Sequence, residues 1–352
     1  MKSEIKPKVT VITVCLNAEK HLEQTILSVI NQDYINIEHI IIDGKSKDRT
    51  LEIIKKYERK IKIWVSETDS GIYDAMNKGI KLSTGEWINV MNAGDTFVSP
   101  QTVSLVMSSV NKNTDLITGD RYSVFENSNH KRYQKARLSN LKKYGMPSGH
   151  QSMFIRSKIM RKYLYSTSYR YASDHDLLIR LFLDKIKFQI IGKPISCYLR
   201  GGVSDRMKFN VYIEIIFIFS KYFGEKFVLN TNHYEDFYNL FPPKETNHGL
   251  AFTQKLSKLL EQATIFSQKY NRVVLYGYGT VGKLVEKYFD SIIAVLDKQL
   301  TNDQIKHVVC KHEDLKTMSF DAIIITALNR ENSIVRELSK FCPKHKIVTF
   351  DI

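Results

Sequence analysis

Proline and cysteine are both scarce here: seven prolines and four cysteines in 352 residues. With only sixteen glycines beside them, no low-complexity linker is expected, and no internal repeat is present. The cysteines (Cys15, Cys197, Cys310 and Cys342) form no CxxC pair and read as reduced core thiols rather than metal ligands or a disulfide frame. Long apolar runs are missing as well. The most lipid-like stretch, Val211 to Phe223, is too short to span a bilayer and carries Glu214 and Lys221. The start, MKSEIKPKVT, lacks the apolar core and small-residue cleavage site of a signal peptide. The expectation is therefore a cytoplasmic protein, peripheral at most on the inner face of a membrane. Acid is also in deficit. Against 52 Lys and Arg stand 37 Asp and Glu, and the net charge of +15 implies an anionic partner. No basic run is interleaved with aromatics, so nucleic acid is not expected; a phosphorylated substrate or an anionic membrane fits better.

What is present is the composition of a globular protein of two or three domains, 43% hydrophobic and 25% charged. The organising stretch is SETDSGIYDAMNKGIKLSTGEWINVMNAGDTF, from Ser66 to Phe97. It reads as a loop, a helix from Ile72 to Leu82, a buried strand from Glu86 to Met91, and an acidic turn ending at Asp95. Before it come strands at Lys8 to Leu16, Ile37 to Ile42 and Ile61 to Val65. They alternate with a helix beginning at Asn17 and another from Thr50 to Tyr57, which Ser46 or Asp48 can cap. This alternation predicts a doubly wound, mostly parallel α/β sheet.

Such a sheet gathers the residues that follow its strands along one rim, where open α/β folds bind ligands. Asn17, Asp43, Asp69 and Asp95 all fall there. A carboxylate at Asp95 can hold a divalent cation against a diphosphate, and Asp43 can accept hydrogen bonds from a base or ribose. The plainer alternatives are an Asx turn at Asp43, a helix N-cap at Asn17 and an ordinary turn at Asn92 to Asp95.

The segments TVCLNAEKHLEQTILSVINQ, IIIDGKSKDRTLEII, SETDSGIYDAMNKGI and STGEWINVMNAGDTF resemble, in order, glycosyltransferase family 2 in its bacterial polysaccharide and lipopolysaccharide branch. The resemblance is dense over about the first hundred residues and implies a GT-A fold. It further implies transfer of a sugar, with inversion, from a nucleotide donor, usually UDP-linked, assisted by Mg or Mn. On it, Asp43 contacts the nucleoside, and Thr13, Asn17, Asp69, Asp74, Asn92 and Arg200 complete the nucleotide-sugar site. Asp95 is the last acid of the metal-binding motif, with Asn92 and Gly94 in places the family often gives to Asp.

Further along, a strand is expected at Asp115 to Gly119, followed by a polar segment to Leu141. Tyr171 to Leu178 then reads as a loop entering a helix with Leu177, Leu178, Leu181 and Phe182 inward. By resemblance Asp174 is the general base that deprotonates the acceptor hydroxyl, with Asp176 as second choice; by the residues alone either acid is a helix cap. His150 and Gln151 resemble a pair lining the acceptor side, and Arg200, in Tyr198 to Ser204, can neutralise a diphosphate. The acceptor implied is a glycan or lipid-linked glycan.

Residues 207–269 read as a helical connector broken at Pro242 and Pro243, its apolar face either core or a membrane or dimer surface. From Arg272 a strand leads into Gly277, Gly279 and Gly282 (GYGTVG) and a helix, and a second strand ends at Asp297. With strands at 321–327 and 346–350, this predicts a small Rossmann-like domain over 270–352, with the glycines serving either a second nucleotide or helix–strand packing. The expected division is thus 1–206 for the GT-A domain, 207–269 and 270–352. Two rival functions follow from these residues: an NAD(P)-dependent sugar oxidoreductase run from the C-terminal domain, and a nucleotide-sugar-binding protein whose transferase has decayed. Homo-oligomerisation is also open.

Overall fold

The computed structural model describes residues 6–126, 130–139, 146–223, 261–277, 282, 285–286, 289, 291–297, 307–326 and 331–350. The chain divides into two compact units, Met1–Phe227 and Val228–Ile352. The division falls within the stretch read as a helical connector. Of that connector, residues 224–260, with Pro242 and Pro243, lie outside the described residues.

In the first unit β-branched runs form the strands β1 (Val9–Cys15), β2 (Ile37–Asp43), β3 (Ile63–Ser66) and β4 (Trp87–Val90). β1 pairs in parallel with both β2 and β4, and β2 with β3, giving the order β3-β2-β1-β4. Helices α1 (Leu22–Ile30), α2 (Thr50–Lys56) and α3 (Ile72–Leu82) connect them. Past β4 the sheet becomes mixed. β5 (Thr96–Phe97), β6 (Leu116–Val124), β7 (Lys131–Gln134), β8 (Met153–Arg156) and β9 (Phe188–Leu199) continue it as β4-β8-β6-β9-β5, with β7 paired to β6. β8 runs antiparallel to β4 and β6, while β6 and β9 are parallel. The core lies on both faces. Ile12, Ile40, Ile80, Ile88 and Leu177 pack on one side, and Val9, Val11, Trp87, Phe154 and Ile195 on the other.

Two local expectations are corrected, and the choice between two capping residues for α2 is decided. The helix expected from Asn17 starts at Leu22, because Asn17 adopts φ +49° and its side-chain oxygen accepts the Lys47 N–H instead of capping a helix. Asp48, not Ser46, takes the N–H at the start of α2, since the Ser46 hydroxyl is committed to Asp43. The strand expected to stop at Gly119 runs to Val124, because Asp120 and Ser123 are buried by the pairing with β7 and β9. Phe182 is half-buried, while Leu177, Leu178 and Leu181 are buried as expected.

The helix Lys208–Phe223 buries Glu214, Ile215, Ile218 and Phe219 within the first unit. The second unit holds a five-stranded parallel sheet, β12-β11-β10-β13-β14: Val273–Tyr276 (β10), Ile292–Leu296 (β11), Val309–Cys310 (β12), Ala322–Ile325 (β13) and Ile347–Thr349 (β14). Gly279 and residues 298–306 lie outside the described residues. Gly277 has φ +84°, and a Cβ on Gly282 would lie 2.5 Å from the Gly277 carbonyl oxygen. Glycine at 282 is thus required by packing alone. Asp297 follows β11 directly. Among the described residues no helix is long and apolar enough to cross a membrane.

Candidate active site

Two loops meet at the parallel edge of the first sheet. Asp43 closes β2 and is fully buried. Its carboxylate accepts the Ser46 N–H at 3.0 Å and the Ser66 hydroxyl at 2.6 Å, and also the Ser46 hydroxyl. The Ser46 oxygen in turn accepts the Asn17 N–H at 2.7 Å, and Asn17 Oδ1 the Lys47 N–H at 2.9 Å. The loop after β1 and the loop after β2 are therefore one hydrogen-bonded unit. Asp69 joins the same rim, for a Cβ on Gly44 would run into its carboxylate. Burial raises the Asp69 pKa above the ordinary value, against the Gly71 N–H that Asp69 accepts at 2.9 Å. Asp74, on α3, accepts the Ser70 N–H at 3.1 Å and lies 3.6 Å from the Lys78 ammonium. Thr13 is fully buried, its hydroxyl 3.0 Å from His39 Nε2 inside the sheet.

Asp95 stands at the end of the turn after β4, 4% exposed. Its carboxylate accepts the Leu199 N–H at 3.0 Å and the Gln151 side-chain amide at 2.8 Å. Burial dominates these contacts and pushes its pKa up to about 6. Two further oxygens of this neighbourhood, Asn92 Oδ1 and Gln151 Oε1, are buried without a hydrogen-bond partner among the described residues. Gly94 explains why the turn carries no second acid there. It has φ +103°, and a Cβ would press on Leu199 at 3.1 Å.

Asp174 is the second residue of the helix Ser173–Leu183. Its Oδ2 lies 3.2 Å from His150 Nδ1, and its Oδ1 lies 3.0 Å from both the backbone N–H and the Nδ1 of His175. The Tyr73 hydroxyl is 3.2 Å from the same Oδ1. Burial works to raise this acid, but the His175 charge and the hydrogen bonds from His150 and His175 outweigh it. They hold Asp174 well below the usual carboxylate range. His150 Nε2 is 3.1 Å from the Asn92 side-chain nitrogen. A cavity lined by Val90, Met153, Tyr165 and Leu177 borders both His150 and Asp174.

The short turn His150–Ser152 therefore joins the two acids: His150 holds Asp174, and its neighbour Gln151 holds Asp95. Asp176 is 1% exposed, with one oxygen on Arg180 at 2.8 Å and the other on the Tyr222 hydroxyl at 2.8 Å. Arg200 is paired with Asp205 at 2.8 Å. Sequence reasoning missed Arg121, whose guanidinium lies over the Tyr198 ring and whose charge acts on both Asp95 and Asp174. The sequence pattern hides it, because the apolar run of β6 ends before it and Arg121 looks like a loop residue. Among the described residues no three His, Cys, Asp or Glu side chains cluster as a ready-made metal site.

A family model, Glycosyl transferase family 2, matches residues 10–173. Over 206 residues the chain is 30% identical to an uncharacterized glycosyltransferase of Methanocaldococcus jannaschii, covering 55% of this chain and 71% of that one. Over 182 residues it is 29% identical to a PGL/p-HBAD biosynthesis glycosyltransferase of Mycobacterium bovis, covering 50% of this chain and 70% of the relative. Among solved structures, S. aureus TarS 1-349 in complex with UDP-GlcNAc aligns with a TM-score of 0.55 at 16% identity, over 80% of this chain and 84% of that one. The architecture is that of a GT-A glycosyltransferase. The chain belongs to glycosyl transferase family 2, and it is a glycosyltransferase.

Proposed function

We propose that the chain moves a sugar from a nucleoside diphosphate donor, UDP-linked, to a hydroxyl of a glycan or lipid-linked glycan, with inversion at the anomeric carbon. The observation that carries this reading is the pair of acids tied to one turn, the buried Asp95 through Gln151 and the half-buried Asp174 through His150. TarS, which shares the fold, was crystallised with UDP-GlcNAc, and the mycobacterial relative is named for PGL/p-HBAD biosynthesis.

In this reading the linked loops around Asn17, Asp43 and Asp69 receive the nucleoside, and Arg121 and Arg200 face the diphosphate. The donor set fits a hard cation. Asp95 supplies a carboxylate, and Asn92 Oδ1 is a buried oxygen without a partner on the same turn. Asp95 would hold Mg or Mn there, with Asn92 beside it. Such a cation supplies charge to a departing diphosphate. Asp174 stays ionised because its histidine contacts favour the charged form; the same contacts weaken it as a base, and in this reading it takes the acceptor proton only as the new bond forms. The hydroxyl oxygen then bonds to the anomeric carbon as the bond to the donor phosphate oxygen breaks. The net charge of +15 supports contact with an anionic membrane surface, and binding to anionic vesicles that fades with salt is the expected result.

The test is donor hydrolysis across a panel of nucleotide sugars with Mg, Mn or EDTA, together with direct nucleotide binding. Metal-dependent release of UDP from one donor, lost in Asp95→Ala and Asp174→Ala, is expected. Failure of any nucleotide sugar to bind would overturn the reading.

A further inference from the structure

The turn that carries Asp174 is held by a residue far outside the family match. Glu214, on the helix Lys208–Phe223, is 1% exposed. Its Oε1 accepts the Arg170 N–H at 2.9 Å, and its Oε2 accepts the N–H groups of Tyr171 at 2.7 Å and Ala172 at 2.9 Å. Three successive backbone donors converge on one buried carboxylate, immediately before the helix on which Asp174 is the second residue. Charge-assisted bonds of this kind are about twice as strong as neutral ones, and three in a row leave the segment little freedom. The opposite side of the same segment is fixed too. The Tyr73 hydroxyl lies 2.9 Å from the Tyr171 carbonyl oxygen and 3.2 Å from Asp174 Oδ1. The peptide of Tyr171 is thus gripped from the N–H by Glu214 and from the C=O by Tyr73.

We propose that Glu214 is a positioning residue for glycosyl transfer, setting the Arg170–Ala172 segment so that Asp174 meets His150 and the acceptor hydroxyl in register. The inference rests on the reading of Asp174 as the base. It gives one side chain of the helix Lys208–Phe223, Glu214, a supporting role at the active site, although the family match ends at residue 173. The helix is otherwise anchored by core residues such as Ile218, which is fully buried. The carboxylate of Glu214 is therefore not needed to hide apolar surface, and its work is done on the segment before Asp174.

The test compares Glu214→Gln, Glu214→Ala and Asp174→Ala with Ile218→Ala, a core truncation on the same helix that controls for lost stability. Three readouts are taken on the full chain: amide hydrogen exchange at residues 170–172, UDP affinity, and turnover in donor hydrolysis. A misplacement on the ångström scale costs on the order of a hundredfold in rate. Glu214→Ala is expected to lose protection at all three amides and to lower turnover about a hundredfold, with UDP affinity unchanged. Glu214→Gln keeps an acceptor oxygen and is expected to recover part of both losses. Ile218→Ala is expected to melt earlier yet keep turnover within about twofold, since it leaves the three bonds to Glu214 in place. Turnover lost in Asp174→Ala but retained in Glu214→Ala would overturn this inference alone. Turnover that survives Asp174→Ala would overturn the base assignment, and the inference with it.

Discussion

Asp95 and Asp174 sit at two ends of one site, and burial alone would raise both. Asp95 is 4% exposed and the Asp174 side chain 13%. Yet Asp95 is pushed up to about 6, while Asp174 is held well below the ordinary range. The difference lies in the partners. Asp95 is given two neutral donors, an amide and a backbone N–H, which do not offset its desolvation. Asp174 is given two imidazoles and a backbone N–H. A carboxylate left under-compensated is one that gains from a cation; a carboxylate already compensated is one that stays charged without it. In the proposed reading the two ends do different work, metal at one and proton transfer at the other.

The largest effect expected from breaking this contrast is at Asp174. A positioned base contributes about a hundredfold to ten-thousandfold, so Asp174→Asn should lower donor hydrolysis by that range while UDP affinity, measured by calorimetry, stays at the wild-type value.

Asp95→Asn should remove the metal-stimulated part of turnover and, in EDTA, should stabilise the fold. A carboxyl raised from 3.8 to about 6 opposes folding when ionised, by about 3 kcal/mol at neutral pH. Gln151 can turn its Oε1 toward the new amide, which keeps the contact between the two side chains. Denaturant unfolding at pH 7 checks the gain.

The pH dependence of that stability sharpens the contrast. Between pH 4 and 6 the folded state holds a proton on Asp95 that the unfolded chain has released, so stability falls as pH rises through this window and levels off above it. Asp174 has the opposite sign. Its contribution is complete above the unfolded value of 3.8 and is lost only as pH falls further. Unfolding curves of the metal-free protein should show the falling limb, and Asp95→Asn should abolish it.

The smallest effect is expected at the turn that joins the two ends. His150→Ala should lower turnover about tenfold, the value of one or two hydrogen bonds to the base, with little change in metal dependence. Gln151→Leu should do the reverse, raising Asp95 further and weakening the metal response in a Mn titration. Equal loss of both properties in both variants would mean that the turn acts as one unit and that the contrast is not carried by its two side chains.

Much of the parallel half of the sheet could be read in advance, because buried parallel strands write themselves as uninterrupted β-branched runs. Val9–Cys15 is of this kind, Ile40–Ile42 is the apolar centre of the next strand, and α3 occupies Ile72–Leu82 as the pattern indicates. The mixed half was less legible. Asp120, Arg121 and Ser123 look like loop residues until their partners on β7 and β9 are known. For the site, the acids at strand ends were visible as residues, but their states were not. Nothing local says that His150 reaches Asp174 or that Gln151 reaches Asp95. Glu214 was legible only as a charge interrupting an apolar stretch, since the three amides it binds lie 42 to 44 residues away.

The most direct test of this division of labour is single-turnover donor cleavage at saturating donor and Mn, run beside UDP binding, for wild type, Asp95→Asn and Asp174→Asn. The account predicts that Asp174→Asn binds UDP like wild type and fails to cleave, while Asp95→Asn loses the enhancement of binding and cleavage that Mn gives. Wild-type cleavage in Asp174→Asn, or an unchanged Mn response in Asp95→Asn, would contradict it.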